Sequence, residues 1–394
     1  MEIKNTNAKE IWKENFIDVY NQPEFVIERG NGSKVYDVEG NEYIDFTSGY
    51  GVSSLGYGDE DIKKALKNQI DEILHTSNLF FNKPMLKTGA KLVEVSEMSK
   101  VYFCNSGTEA NETAFKIARK YSSEKYGNNR GVIISLSESF HGRTMMSLMA
   151  TGIEKYHAYF YPLPEGFRHV AINDIEGFKS AVDISVCAVI LESVQGEGGV
   201  NPLDKSYVDE VVDICRKNDI AIIFDEVQAG IGRTGKLFGY QNLGVKPDIV
   251  TTAKGLSAGI PVGAVLVSDK YSKVLSIGDQ GTTFGANPLA MVSAEVVIGK
   301  IESPGFYDEV NKKGAYIKKF IGKLNSDKIV DIRGVGLFIG IEVSGRADEI
   351  QKKARDKGLL ILTAGHNDVV RFLPPLTITY DEIDEALEIL KGCF

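Results

Sequence analysis

The stretch AIIFDEVQAG, Ala221 to Gly230, decides the reading of the fold. It begins as a β-branched apolar run, sets Asp225 and Glu226 side by side, and then turns small and polar. A short apolar run that ends in charge and is followed by turn residues predicts a buried parallel strand meeting solvent at its C-terminal end. In open α/β sheets ligands bind in the crevice outside that end. Two acids at a strand exit are also compatible with plain solvation, so the neighbouring segments carry the decision.

Working outward, similar runs recur as VYFC near 101, VIISL near 132, HVAI near 169, VCAVILES near 186, DIVTTA near 248 and GAVLVS near 263. Amphipathic segments separate them, such as 109–121, where Ala110, Ala114, Ile117, Ala118 and Tyr121 share one helical face. This alternation predicts an α/β fold with a mostly parallel sheet. The two ends of the chain read differently. KVYDVEGNEYIDF suggests two strands about a Glu-Gly-Asn turn, and the segment beyond about 300 holds a Gly-rich strand, DIRGVGLFIGIEV, helices at 348–357 and 381–391, and the Pro374-Pro375 interruption. A chain of 394 residues exceeds one typical core. The expected organisation is a large α/β unit over 61–300, with 1–60 and 301–394 forming a smaller α+β unit.

Composition removes several function classes. With 43% hydrophobic and 25% charged residues the chain is of ordinary globular make-up. A net charge of −9 without a dense Lys/Arg block argues against nucleic acid as a partner. No apolar run reaches membrane-spanning length and the first residues lack a signal-peptide core, so a cytoplasmic protein without membrane contact is expected. Cys104, Cys187, Cys215 and Cys393 lie far apart and read as core thiols. The five histidines show no metal-ligand spacing, and no metal is expected.

Three motifs bear on chemistry. GIGRTGKL matches the dinucleotide pattern through Gly230, Gly232 and Gly235, but five residues separate Phe224 from the first glycine, and the P-loop alternative has Leu237 where Ser or Thr must follow the lysine. NSGTEANETAFKIARK opens a helix with a Gly-containing turn, which suits an anion at Gly107 and Thr108, while Ser106 or Thr108 also reads as an ordinary N-cap. In DIVTTAKGLSAGIP, Lys254 follows a buried-type strand and is followed by small residues. A lysine that can be desolvated there can attack an aldehyde to form a Schiff base. An acid at one strand end, a lysine at another and an anion-binding helix start match the needs of pyridoxal 5′-phosphate: a carboxylate for its ring nitrogen, an amine for its aldehyde and N–H groups for its phosphate.

These motifs, with SNLFFNKP, FHGRT, ESVQGEGG, GTTFGANPLA, RGVGLFIGIE and RFLPPLTIT in order along nearly the whole chain, resemble the class III, fold type I pyridoxal-phosphate aminotransferases, and among them the acetylornithine aminotransferase branch. The resemblance implies that Lys254 carries the cofactor as its Schiff base, Asp225 pairs with the pyridine nitrogen, Gln228 bonds the ring hydroxyl and Phe140 stacks on the ring. Ser106, Gly107 and Thr108 would hold the phosphate, joined by Thr283 from the other subunit of a homodimer with a shared active site. On the substrate side it implies that Arg143 and Arg371 bind carboxylates and that Glu197 pairs with Arg371 while an ω-amino donor is bound, then swings away for glutamate. The Gly-rich turn around Glu197 would give it room to move. The reaction implied is ω-amino transfer from N-acetylornithine to 2-oxoglutarate, a step of arginine biosynthesis. Tyr50, Ser193, Ser257, Ala258 and GYGDED depart from that branch, which leaves succinylornithine, ornithine, 4-aminobutyrate and succinyl-diaminopimelate open as donors, and more distantly an aminomutase of the glutamate-semialdehyde type.

Overall fold

The computed structural model describes residues 2–324 and 326–394. Its centre is a seven-stranded sheet made of β1 (Lys100–Cys104), β2 (Val132–Leu136), β3 (Phe167–Val170), β4 (Val186–Glu192), β5 (Ala221–Asp225), β6 (Ile249–Thr252) and β7 (Gly263–Val267). Their order in the sheet is β1-β7-β6-β5-β4-β2-β3. Every apolar run singled out above is therefore one of these strands. β4 and β5 are buried along their whole length, as parallel strands covered on both faces must be.

The pairs β5–β6, β5–β4, β2–β4 and β2–β3 are parallel, whereas β7 runs antiparallel to both its neighbours. The exception has a geometric cause. Only a short 3-10 turn, Lys254–Ser257, lies between β6 and β7, and a parallel return needs a crossover, usually a helix. The helix α1 (Gly107–Tyr126) follows β1 and packs Ala110, Ala114, Phe115, Ile117 and Ala118 against the sheet.

The ends of the chain meet. Glu42–Asp45 pairs parallel with Leu359–Leu360, and Ile44 and Phe46 enter one apolar cluster with Val310, Ile339, Phe372 and Leu387. The antiparallel pair Lys34–Asp37 and Glu42–Asp45 matches the expected two strands. DIRGVGLFIGIEV, expected as one strand, is a hairpin of Ile329–Val335 with Phe338–Val343. Gly336 at φ +58 makes the reversal, and any Cβ there would meet the backbone of Arg233 and Thr234. All four cysteines are free and buried. No helix among the described residues is long and apolar enough to cross a membrane.

Ala258 closes the turn after Lys254 in a left-handed conformation, φ +49 and ψ +40, which a Cβ opposes. Ala258→Gly should raise unfolding stability by roughly 0.5–1 kcal/mol, the Cβ strain relieved less the entropy that glycine adds to the unfolded chain. Denaturant midpoints compared at constant m-value check this.

Candidate active site

The C-terminal ends of β4, β5 and β6 and the start of α1 face a cavity of about 460 Å³. Only Asn105 and Ser106 separate β1 from α1, so the helix begins at the level of the strand ends. Ser106, Gly107, Thr108, Phe140, Arg143, Asp225, Gln228 and Lys254 all line this cavity. The cap question is resolved in favour of Ser106, whose hydroxyl accepts the Glu109 N–H at 3.3 Å. The first-turn N–H groups of Gly107 and Thr108 have no acceptor within the helix and suit an anion. A Cβ at Gly107 would lie 2.6 Å from Val227, so the glycine lets the helix start approach the turn after β5.

Asp225 ends β5 and is 4% exposed. Its Oδ2 accepts from Asn111 Nδ2 and from His141 Nδ1, each at 2.8 Å, and its Oδ1 accepts from the Val227 N–H at 3.0 Å. Asn111 is held in turn by Thr251, whose hydroxyl donates to it at 2.7 Å. Asn111 and His141 were not anticipated from sequence. The available signal was position: Asn111 lies one turn after Gly107 on the same helix face, and His141 adjoins Phe140.

Glu226 has a different fate. It is fully buried away from the cavity and accepts the Gly239 and Tyr240 N–H groups at 2.7 and 2.9 Å. Burial, opposed by those two N–H groups, pushes its acid up to about 7. The two adjacent acids thus divide: Asp225 faces the pocket and Glu226 ties down the loop behind it. A further acid in the cavity wall, Glu192, lies directly opposite Asp225 in the β4–β5 register. Burial, with the charge of Asp225 adding and His141 opposing, pushes it up to about 7 as well.

Lys254 follows β6 at φ +40, a conformation that only a well-determined surrounding holds in a non-glycine residue. Burial lowers its pKa, partly offset by Glu197 and Asp225, which favours the neutral amine. Arg371, in the strand Val369–Phe372, is 0% exposed. Its Nη1 donates to Glu197 Oε1 at 2.7 Å and to Gln228 Oε1 at 3.1 Å. Its Nε and Nη2 have no acceptor among the described residues. Burial would raise Glu197, but the charge and hydrogen bond of Arg371 outweigh it and the acid is lowered. Gln228, expected at the ring hydroxyl, spends its carbonyl oxygen on Arg371. The Tyr50 ring lies 5.5 Å from the Arg371 guanidinium. Arg143 is exposed, its guanidinium 3.6 Å above the Tyr156 ring.

Thr283, expected to serve the other subunit's site, stands exposed and outside this chain's cavity, and its neighbour Thr282 accepts from Asn105 Nδ2 at 2.9 Å. One expectation needs qualification. The Gly-rich turn around Glu197 is not slack. A Cβ at Gly196 would lie 2.4 Å from Gln228, and one at Gly198 would lie 2.6 Å from the Glu138 carbonyl oxygen. These glycines serve close approach rather than freedom.

Fold and site together define an aminotransferase, and the comparisons agree. The family model described as aminotransferase class-III matches residues 17–394. The acetylornithine aminotransferase of Caldanaerobacter subterraneus subsp. tengcongensis is 48% identical over 381 residues, 96% of each chain. That of Methanocaldococcus jannaschii is 43% identical over 393 residues, 98% of each. Among solved structures, the ornithine aminotransferase of Toxoplasma gondii ME49 superposes with a TM-score of 0.95 at 29% identity, covering 100% of this chain and 95% of that one. The N-acetylornithine aminotransferase of Stenotrophomonas maltophilia K279a gives 0.85 at 35% identity, covering 98% and 97%. The chain belongs to the class III aminotransferases.

The raised acid of Glu226 has a pH signature. The native state holds this proton more tightly than the unfolded chain, so the contribution to stability is largest below about 4.5 and declines as pH rises toward about 7. Glu226→Gln lacks that dependence while losing one N–H acceptor. The stability advantage of the wild type over the variant should therefore shrink between pH 5 and 8, by up to about 3 kcal/mol. Urea titrations at the two pH values measure it.

Proposed function

We propose that this class III aminotransferase uses pyridoxal 5′-phosphate to move the ω-amino group of N-acetylornithine to 2-oxoglutarate, giving the semialdehyde and glutamate. The observation that carries the reading is Arg371: a fully buried guanidinium with only Nη1 engaged, by Glu197 and by Gln228, the latter lining the cavity that also holds Lys254 and Asp225. Two charged donors buried without acceptors are costly, and a substrate carboxylate satisfies both in the two-pronged geometry arginine favours.

The residues present fit the cofactor. Gly107 and Thr108 offer N–H groups at a helix start for a phosphate, Asp225 offers a carboxylate for a ring nitrogen, and Phe140 and Val227 offer apolar surfaces for a flat ring. When bound, pyridoxal phosphate supplies an electron sink conjugated to the substrate's amino carbon. Asp225, oriented by three N–H donors, would offer its carboxylate to the ring nitrogen. Lys254, its neutral form favoured by burial, would serve as the base that takes the proton from the substrate carbon and as the acid that gives it back. Glu197 neutralises Arg371 while the ω-amino donor occupies the pocket; when it turns away, Arg371 receives the α-carboxylate of glutamate and Arg143 takes the remaining one.

A homodimer completes this reading, with Thr283 reaching the partner's phosphate site. Support comes from the surface around it: Asn78 donates to the Thr282 carbonyl at 2.7 Å, and Leu79, Phe80, Phe81 and Phe284 are all more than half exposed. A cluster of that kind suits a protein interface. The proposed reaction would be a step of arginine biosynthesis, and four free, buried cysteines accord with a reducing, cytoplasmic setting for it. The likeness to an ornithine aminotransferase at a TM-score of 0.95 makes free ornithine the second donor to test.

A panel of N-acetylornithine, ornithine, succinylornithine and 4-aminobutyrate assayed with 2-oxoglutarate tests the function; kcat/KM should be highest for N-acetylornithine, and absence of turnover with all four overturns it. Lys254→Ala should fold and keep cofactor yet lose turnover. Asp225→Asn should lower kcat by roughly 10²–10³, the cost of one preorganised electrostatic partner.

The mask on Arg371 makes its own prediction. In Glu197→Ala the ratio of the two half-reaction kcat/KM values should move toward glutamate by roughly tenfold, equivalent to about 1.4 kcal/mol of differential transition-state binding. Arg371→Lys should hurt the glutamate side most, since an ammonium lacks the two-pronged contact. Single-turnover spectra of the separate half-reactions check both.

A further inference from the structure

Glu192 is buried, lines the cavity and has no part in the chemistry above. Its two carboxylate oxygens serve two different loops. Oε2 accepts the Phe140 N–H at 3.1 Å, and Oε1 accepts the Gly196 N–H at 3.3 Å. The first loop carries the ring expected to cover the cofactor. The second carries Glu197 as its next residue. On the far side of Glu197, its own carbonyl accepts the Gly365 N–H at 2.9 Å, so the backbone of Glu197 is pinned at both ends. Gly196 also sits hard against Gln228, which leaves the turn no slack on the third side.

We propose that Glu192 is a positioning residue: by bonding the Phe140 and Gly196 N–H groups at once, it fixes the ring wall of the pocket and the backbone under Glu197, so that Glu197 uncovers Arg371 by side-chain rotation alone. The inference rests on the reading of Glu197 as the mask of Arg371. Its chemistry demands an acid. Above about pH 7, where Glu192 is ionised, its carboxylate offers an acceptor on each oxygen, whereas a glutamine amide of the same shape offers one acceptor and turns a second donor against the other N–H. Both loops hang from strand ends of the rigid sheet, and Glu192 is the last residue of β4, so the clamp is anchored at its base.

Glu192→Gln tests this in two independent ways. In the cofactor-free chain, amide hydrogen exchange at Phe140 and Gly196 should quicken by roughly tenfold or more, because one or both lose an acceptor, while exchange inside β4 stays as in the wild type. In the holoenzyme, the kcat/KM ratio of the two half-reactions should move toward glutamate, and adding Glu197→Ala should move it no further, because both changes act through the same side chain. Unchanged exchange at both amides overturns the clamp. A ratio shift that adds in full to that of Glu197→Ala overturns its action through Glu197. If Glu197→Ala by itself leaves the ratio unmoved, the mask reading fails while the exchange measurement still judges the clamp. Should Glu192→Gln fold poorly, Glu192→Asp, which keeps both oxygens on a shorter arm, should show the same quickened exchange, and unchanged exchange there overturns the clamp equally.

Discussion

The pocket is organised about a carboxyl group held by three hydrogen bonds at the end of a buried strand. Asp225 stands where β5 runs out, with Asn111, His141 and the Val227 N–H converging on its two oxygens. Each donor arrives from a different element: the helix after β1, the loop after β2 and the turn after β5 itself. Moving any of these would leave a buried charge short of a partner, an outcome costing several kcal/mol. The requirement to satisfy one buried acid therefore locks the relative placement of three segments, and with them the helix start, the ring wall and the floor of the cavity.

The remaining charges are disposed by the same logic. Lys254 is desolvated and faces acids without touching a paired carboxylate closely enough to be held as ammonium, so burial prevails. Arg371 is fully buried and meets Glu197 and Gln228 through only one of its nitrogens. A site that must accept two amino acids of different shape needs a cation whose partner can be exchanged, and a single contact to a movable acid satisfies that need better than a closed bidentate pair would. Glu192 and Glu226 show the opposite use of acids. Neither meets a cation, each accepts two backbone N–H groups, and each trades the cost of burial for the order of a loop.

Much of this architecture was legible in the residues. The seven apolar runs, the helix after NSG and the lysine after TTA required only periodicity and strand-end chemistry, because a parallel sheet buried on both faces forces nearly continuous apolar strands and delivers polar residues at their ends. Asp225, Lys254 and the Gly107–Thr108 turn therefore lie together as local pattern and strand-end geometry demand. The family resemblance added Arg143, Glu197, Gln228 and Arg371; Arg143 and Gln228 line the same cavity, and Gln228 and Glu197 both meet Arg371.

What sequence could not decide was set by contacts between residues distant along the chain. The direction of β7 followed from the length of a connector, and the hairpin in DIRGVGLFIGIEV followed from the close approach of Gly336 to Arg233 and Thr234. The partners of Asp225 lie 114 and 84 positions away, and Glu197 and Arg371 are 174 apart. The fate of Glu226, beside Asp225, was likewise tertiary: alternation sends the two acids to opposite sides, and packing buries Glu226 on the Gly239 and Tyr240 N–H groups. A strand exit and a helix start are local events encoded by a few neighbouring residues. A buried charge's partner is chosen by the whole fold, since desolvation must be answered by whatever donors the tertiary structure brings within reach.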